Sequence, residues 1–252
     1  MDAGTGHVTV RRGPAHVRAV LTRPAEGNTL TPGLIASLSE ALDEAERTPD
    51  CRLFVLTAEG GSFCEGLDLA DDDLVRRWDD AVAEQFHTLI TRLRNSPLVT
   101  VALVGGPAAG GGVGLAVSCD LVYASPKASF RLTEVLLGLS PAMILPNIAR
   151  RVGETLAFRL ALLAEEVRAE DADRIGLVDA VTDDLDIMVR RTLTALGRMD
   201  PATIAQLKAT RGLLFADEPR YSEYAKQLLG RRLGDPFVRN RIDRLRAEGL
   251  LR

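Results

Sequence analysis

Val99-Thr100-Val101-Ala102-Leu103-Val104-Gly105-Gly106-Pro107-Ala108-Ala109-Gly110-Gly111-Gly112-Val113-Gly114-Leu115-Ala116-Val117-Ser118-Cys119-Asp120 decides the fold of this 252-residue chain. The apolar run through Val104 reads as a strand, the glycines as a sharp turn, and Gly111 to Ser118 as a short helix. Leu121 to Ala124 reads as the next strand. About forty residues upstream the same pattern occurs: a strand, Leu53 to Thr57, leads into Gly60-Gly61-Ser62-Phe63-Cys64-Glu65-Gly66-Leu67-Asp68. Strands alternating with helices imply a parallel sheet with helical crossovers. Glycines let another molecule approach the main chain closely, so two such loops after neighbouring strands can aim two N–H donors at one oxygen atom. That is the geometry of an oxyanion hole.

The amides of Gly110-Gly111-Gly112 precede a helix and are first-turn donors, with the helix dipole favouring negative charge above them. Taken alone, a glycine cluster is equally a tight strand-to-helix turn. A phosphate loop is disfavoured because no Lys-Ser or Lys-Thr follows and the dinucleotide spacing is absent, and a hydrolase elbow is absent because no Gly-x-Ser-x-Gly occurs.

Outward from these loops, His7 to Val10 and Ala15 to Leu21 around Gly13-Pro14 predict a β-hairpin. Thr31-Pro32 opens a helix to Arg47, and a long amphipathic helix is expected from Leu74 to Arg94. Ala128 to Leu132 reads as a short strand, Ala169 to Arg174 as a helix and Ile175 to Val181 as a strand. After Asp183 the pattern is helical, broken at Asp200-Pro201, Asp217-Glu218-Pro219 and Asp235-Pro236. The expected organisation is an α/β core over residues 1–183 and a helical C-terminal region over 184–252.

A net charge of −4 argues against nucleic acid as the main partner, since phosphate binding needs a basic face. No apolar run approaches transmembrane length and no signal pattern opens the chain, so no membrane partner and a cytoplasmic location are expected. The three cysteines, Cys51, Cys64 and Cys119, lack metal-ligand spacing and read as thiols. Asp71-Asp72-Asp73 reads as a solvated helix entry, and His7, His16 and His87 as surface or core residues, so no metal is expected.

Phe63-Cys64-Glu65-Gly66-Leu67-Asp68, Gly110-Gly111-Gly112 through Ser118-Cys119-Asp120, Ser129-Phe130-Arg131-Leu132-Thr133-Glu134 and Gly176-Leu177-Val178-Asp179 together resemble the crotonase superfamily, that of enoyl-CoA hydratases and isomerases. The resemblance covers most of residues 5 to 185. It implies a crotonase-like spiral core of parallel-strand turns and a homotrimer or hexamer built through the helical C-terminal region. A thioester carbonyl would sit between the backbone N–H groups of Leu67 and Gly111, with Asp68 bracing the loop. No cofactor is implied beyond the phosphopantetheine that carries the substrate.

Hydratases of that family usually carry two glutamates. One matches Glu134, whose apolar neighbours Leu132, Val135, Leu136 and Leu137 predict a partly buried carboxyl with a raised pKa. The other falls at Gly114, which has no side chain. Glu65, a substrate carboxylate, or water in the space beside Gly114 could take its place. The segments Thr133 to Gly153 and Pro236 to Gly249 also resemble the dehydratases of polyketide β-branching. Those act on a 3-hydroxy-3-methylglutaryl group on an acyl carrier protein. Glu134 would then serve an acyl-thioester dehydratase, a lyase, and Arg76-Arg77, Arg150-Arg151 and the C-terminal arginines could form a docking patch. The alternatives are an isomerase or hydratase acting on a CoA thioester, and an inactive scaffold of the same fold.

Overall fold

The computed structural model describes residues 6–68, 80–214 and 219–249. The hairpin forms from β1 (Val8–Arg12) and β2 (His16–Leu21), paired antiparallel. Beyond it the main sheet is parallel: β2 pairs with β3 (Leu53–Ala58), β3 with β4 (Val99–Val104), β4 with β6 (Leu121–Ala124), and β6 with β9 (Ala180–Val181). A smaller sheet orders β5 (Ala108–Ala109), β7 (Ser129–Arg131) and β8 (Val167–Arg168).

The main sheet is buried on both faces, and its period-2 alternation divides the core. Phe54, Leu56, Ala102, Val104, Val122 and Ala124 face the cluster that contains α1 (Pro32–Arg47), α2 (Asp80–Asn95) and α3 (Gly111–Val117). Their neighbours Leu53, Val55, Val101, Leu103 and Tyr123 face the other way, onto α7 (Leu185–Leu196) and Ile204 of α8 (Pro201–Leu214). The helix starts follow the expected chemistry. Thr31 Oγ1 accepts the Leu34 N–H at 3.2 Å with Pro32 at the first helical position, and Asp184 accepts from Ile187 at 3.0 Å.

One expectation needs revision. The segment from Ile175 forms a strand only at Ala180–Val181. Gly176 turns with φ +77°, and the Leu177 and Val178 amides both donate to Ala172 O, closing α6 (Ala169–Arg174) before the chain can extend. Residues 145–163 form α4 (Leu145–Val152) and α5 (Glu154–Leu163), separated by Gly153 at φ +82°. The proposed helix start near Leu74, together with Asp71-Asp72-Asp73 and Arg76-Arg77, lies outside the described residues.

The last two helices, α9 (Pro219–Gly234) and α10 (Pro236–Ala247), fold back over the core. Lys226 pairs with Glu84 of α2, and Ser222 Oγ lies 2.9 Å from His87 Nε2. Tyr221 donates to Ala142 O at 2.9 Å. Arg232 and Arg241 donate to the carbonyls of Gly138 and Leu136 at 2.9 and 3.0 Å. Those carbonyls belong to the end of the 3-10 turn, Glu134–Leu137, that carries the candidate acid.

Candidate active site

The two glycine loops meet at the C-terminal ends of β3 and β4. Phe63 and Cys64 are buried and anchor the first loop, whose Phe63 N–H donates to Pro107 O at 2.9 Å. In return the Ala109 N–H donates to Cys64 O at 2.9 Å. Burial pushes the Cys64 thiol up to about 12, so it serves packing rather than nucleophilic chemistry. Asn28, which the sequence reading did not single out, braces the same loop from beneath. It is fully buried at φ +52°, and its side-chain amide donates to Glu59 O and Ser62 O, both at 3.0 Å. Its sequence signal is the Gly27-Asn28 pair after Pro24, a turn composition.

Close approach of the loops requires glycine at three points, Gly106, Gly112 and Gly66, of which the last two lie beside the amides. A Cβ on Gly112 would lie 2.1 Å from Cys64 O. At Gly66, held at φ +87°, a Cβ would lie 2.8 Å from Ala109 O and 3.4 Å from the Gly111 nitrogen. Gly66 therefore sits directly on the start of α3, and the peptide N–H that follows it belongs to Leu67. Among the described residues, neither the Leu67 nor the Gly111 N–H donates to a protein acceptor. The isolated bridge beside them uses Gly66 O and the Asp68 N–H instead, both paired with Leu30. Two unpaired main-chain donors thus lie where the loops touch. Gly66→Ala is expected to push them apart and to lower kcat by about 10²–10³, the usual cost of losing one such donor. Steady-state kinetics together with an unchanged circular dichroism spectrum would check this.

The cleft over these amides has a volume of about 90 Å³, and its walls are mostly apolar, among them Leu30, Phe86, Leu139 and Leu229 of α9. Glu134 enters it from the 3-10 turn. A Cβ on Gly110 would lie 3.1 Å from Glu134 Oε1, so the carboxyl rests against the glycine that opens α3. The residue keeps some exposed surface, but its carboxyl is enclosed, and Oε2 is buried with no hydrogen-bond partner. Burial pushes the carboxyl up to about 7, with the backbone amides of Glu134 and Thr133 pulling in the opposite direction. At neutral pH it can both take and return a proton.

The other sequence candidates fall into place around it. Glu65 lines the cleft, but its carboxylate accepts from Ser62 Oγ at 2.7 Å and packs against Gly27. Asp68 accepts from the Thr29 hydroxyl at 3.2 Å. The space beside Gly114 holds Ile144, whose Cγ2 would lie 2.1 Å from a Cβ there, so it offers no room for water. Arg151 turns inward, bonding Asp179 at 3.1 Å and the carbonyls of Leu177 and Asp120. Among the described residues no group of three or more His, Cys, Asp or Glu side chains is arranged to hold a metal, and no helix is long and apolar enough to cross a membrane.

The chain belongs to the enoyl-CoA hydratase/isomerase family, whose model matches residues 15–229. It is 38% identical over 182 residues to a Thermus thermophilus protein described as an enoyl-CoA hydratase, covering 69% of this chain and 70% of that one. To the bacillaene synthase dehydratase PksH of Bacillus subtilis it is 32% identical over 189 residues, 74% of this chain and 73% of that one. The crystal structure of the Bacillus subtilis polyketide biosynthesis enoyl-CoA hydratase PksH superposes with a TM-score of 0.89 at 28% identity, over 96% of this chain and 97% of that one. The fold is the crotonase fold, and the polyketide-type subgroup resemblance holds. The chain is an enzyme of the hydratase type, a lyase.

Proposed function

We propose that the protein dehydrates a 3-hydroxyacyl thioester, with a 3-hydroxy-3-methylglutaryl group on an acyl carrier protein as the substrate. The observation that carries this reading is the buried Glu134 carboxyl, whose Oε2 has no hydrogen-bond partner, in an apolar cleft that also holds two unpaired amides. The thioester oxygen accepts from the Leu67 and Gly111 N–H groups, which stabilise the enolate formed when the α-proton leaves. Glu134 takes that proton, the C3–O bond breaks, and the hydroxyl departs as water with the same proton. The reaction needs no cofactor beyond the pantetheine arm. The carrier-bound substrate is supported by the likeness to a polyketide-synthase dehydratase. The apolar groove along α7 and α8, where Leu207 and Met199 are exposed, supports self-association, and the family resemblance makes the assembly a homotrimer or hexamer.

Incubation in D₂O with 3-hydroxyacyl, 3-methylglutaconyl and 3-enoyl thioesters, on CoA and on carrier protein, tests the proposal. Deuterium at the α-carbon and loss of water from the 3-hydroxyacyl thioester are expected. Double-bond migration without water loss would make the protein an isomerase. No exchange with any thioester would overturn the catalytic reading.

A further inference from the structure

Two glycines at α3, Gly110 just before it and Gly114 within it, each meet a cleft-lining side chain from a different element. Glu134 rests on Gly110, with Oε1 3.1 Å from where a Cβ would be. Ile144 rests on Gly114, with Cγ2 at 2.1 Å and its Cβ at 2.7 Å from the equivalent point. The Gly114 N–H donates to Gly110 O at 3.2 Å, so the two glycines are one helical turn apart on one face. A side chain leaving Gly114 would therefore emerge about 5.4 Å along the helix from the one that meets Glu134. Ile144 is 2% exposed and lines the same cleft. Glu65, the other acid in the lining, is engaged by Ser62.

We propose that Ile144 determines how this site moves protons. Seated on Gly114, it fills the position beside Glu134 from which a second carboxyl or a water could act, and it leaves Glu134 to make both transfers. The proposal rests on the dehydratase reading above. The carboxylate of Glu134 takes the α-proton, the electron pair passes to the thioester oxygen and returns to form the C2–C3 double bond, and the C3–O bond breaks. The departing oxygen takes the proton back from Glu134, leaving as water and restoring the carboxylate. One carboxyl begins and ends ionised, so the rate should rise with pH along a single limb and then level off. A second acid would have to start protonated, adding a falling limb and a bell-shaped profile.

The test compares the wild-type chain with Gly114→Glu, Ile144→Ala, the double variant, and Ile144→Glu, which brings a carboxyl into the same space from the opposite wall. Each is assayed for interconversion of a 3-hydroxyacyl thioester and its 2-enoyl partner between pH 5 and 9. Gly114→Glu alone should lose activity because Ile144 obstructs it. The double variant should exceed it by about tenfold or more and show a bell-shaped profile, as should Ile144→Glu, which keeps the test valid if Gly114→Glu fails to fold. Single-limb profiles in both, with the double variant no faster than Gly114→Glu, would overturn the role of Ile144. So would a bell-shaped profile in the wild-type chain. Failure of the dehydratase reading is distinct: the wild-type chain would then exchange no α-proton with any thioester, whatever the variants gain.

Discussion

Glu134→Gln is expected to slow α-proton exchange from a 3-hydroxyacyl thioester by about 10²–10⁴-fold, the usual contribution of a positioned general base. The amide keeps the shape of the carboxyl but cannot take a proton. In the wild-type chain the rate should fall as pH drops through about 7, because burial places the carboxyl there and only its ionised form removes a proton. The same burial opposes folding. The pKa is 4.5 for an unperturbed glutamate and about 7 in the folded chain, so between these values the unfolded state ionises while the folded state stays neutral. Folded-state stability is thus highest below 4.5 and falls as pH rises through this window, by about 3 kcal/mol in all. Gln has no such titration. The stability difference between variant and wild type should therefore shift in favour of the variant by about 2–3 kcal/mol from pH 4.5 to pH 8. Urea unfolding at the two pH values measures this, and a difference that does not move with pH would mean that the carboxyl is solvated.

Asp120→Ala is expected to destabilise the fold by about 3–5 kcal/mol, the cost of leaving one partner of a buried ion pair behind. Asp120 Oδ2 lies 2.6 Å from Lys208 Nζ, and their side chains are 10% and 8% exposed. The same oxygen accepts the Thr100 N–H at 2.8 Å, while Lys208 also donates to Leu98 O at 2.6 Å. Burial already pulls the Lys208 pKa down, so without Asp120 the ammonium loses its compensating charge and is left near Arg211, a second cation that also pulls it down. Arg211 lies 2.6 Å from Asp120 Oδ1 but is 39% exposed, and water screens most of its contribution. The double variant Asp120→Ala/Lys208→Met removes both charges and should recover about half of the loss or more. Denaturant midpoints for the two single variants and the double variant provide the check. A single variant within about 1 kcal/mol of wild type would show that the pair is hydrated. Because Lys208 lies on α8 and Asp120 on the corner after α3, this contact fastens the C-terminal helices to the strand that carries the glycine loop.

Much of the fold, and the candidates for the site, were legible because their signals are local. The helix starts at Thr31-Pro32, Asp200-Pro201 and Asp235-Pro236 follow from capping chemistry within three residues, and the strands from alternation within six. The two unpaired amides follow from glycines at the end of a strand, and the raised pKa of Glu134 from the apolar residues around it in the chain. The strand from Ile175 was over-extended because Leu177-Val178 has strand composition, whereas their amides close the helix on Ala172 O. Asn28 was missed because its partners, Glu59 and Ser62, lie more than thirty residues away.

By itself, then, the amino-acid sequence determined the order of elements and the places of the two glycine loops, since turn chemistry and hydrophobic period act between near neighbours, and it made Leu67, Gly111 and Glu134 the candidates for the site. It also marked Gly114 as a position without a side chain, but not what occupies the space beside it. Tertiary structure alone decided that Ile144 fills that space, that Ser62 holds Glu65, and that Arg151 bonds inward. The contact between Gly114 and Ile144 joins a helix to a loop thirty residues later, and close packing of the interior leaves no local trace of which side chain fills which gap.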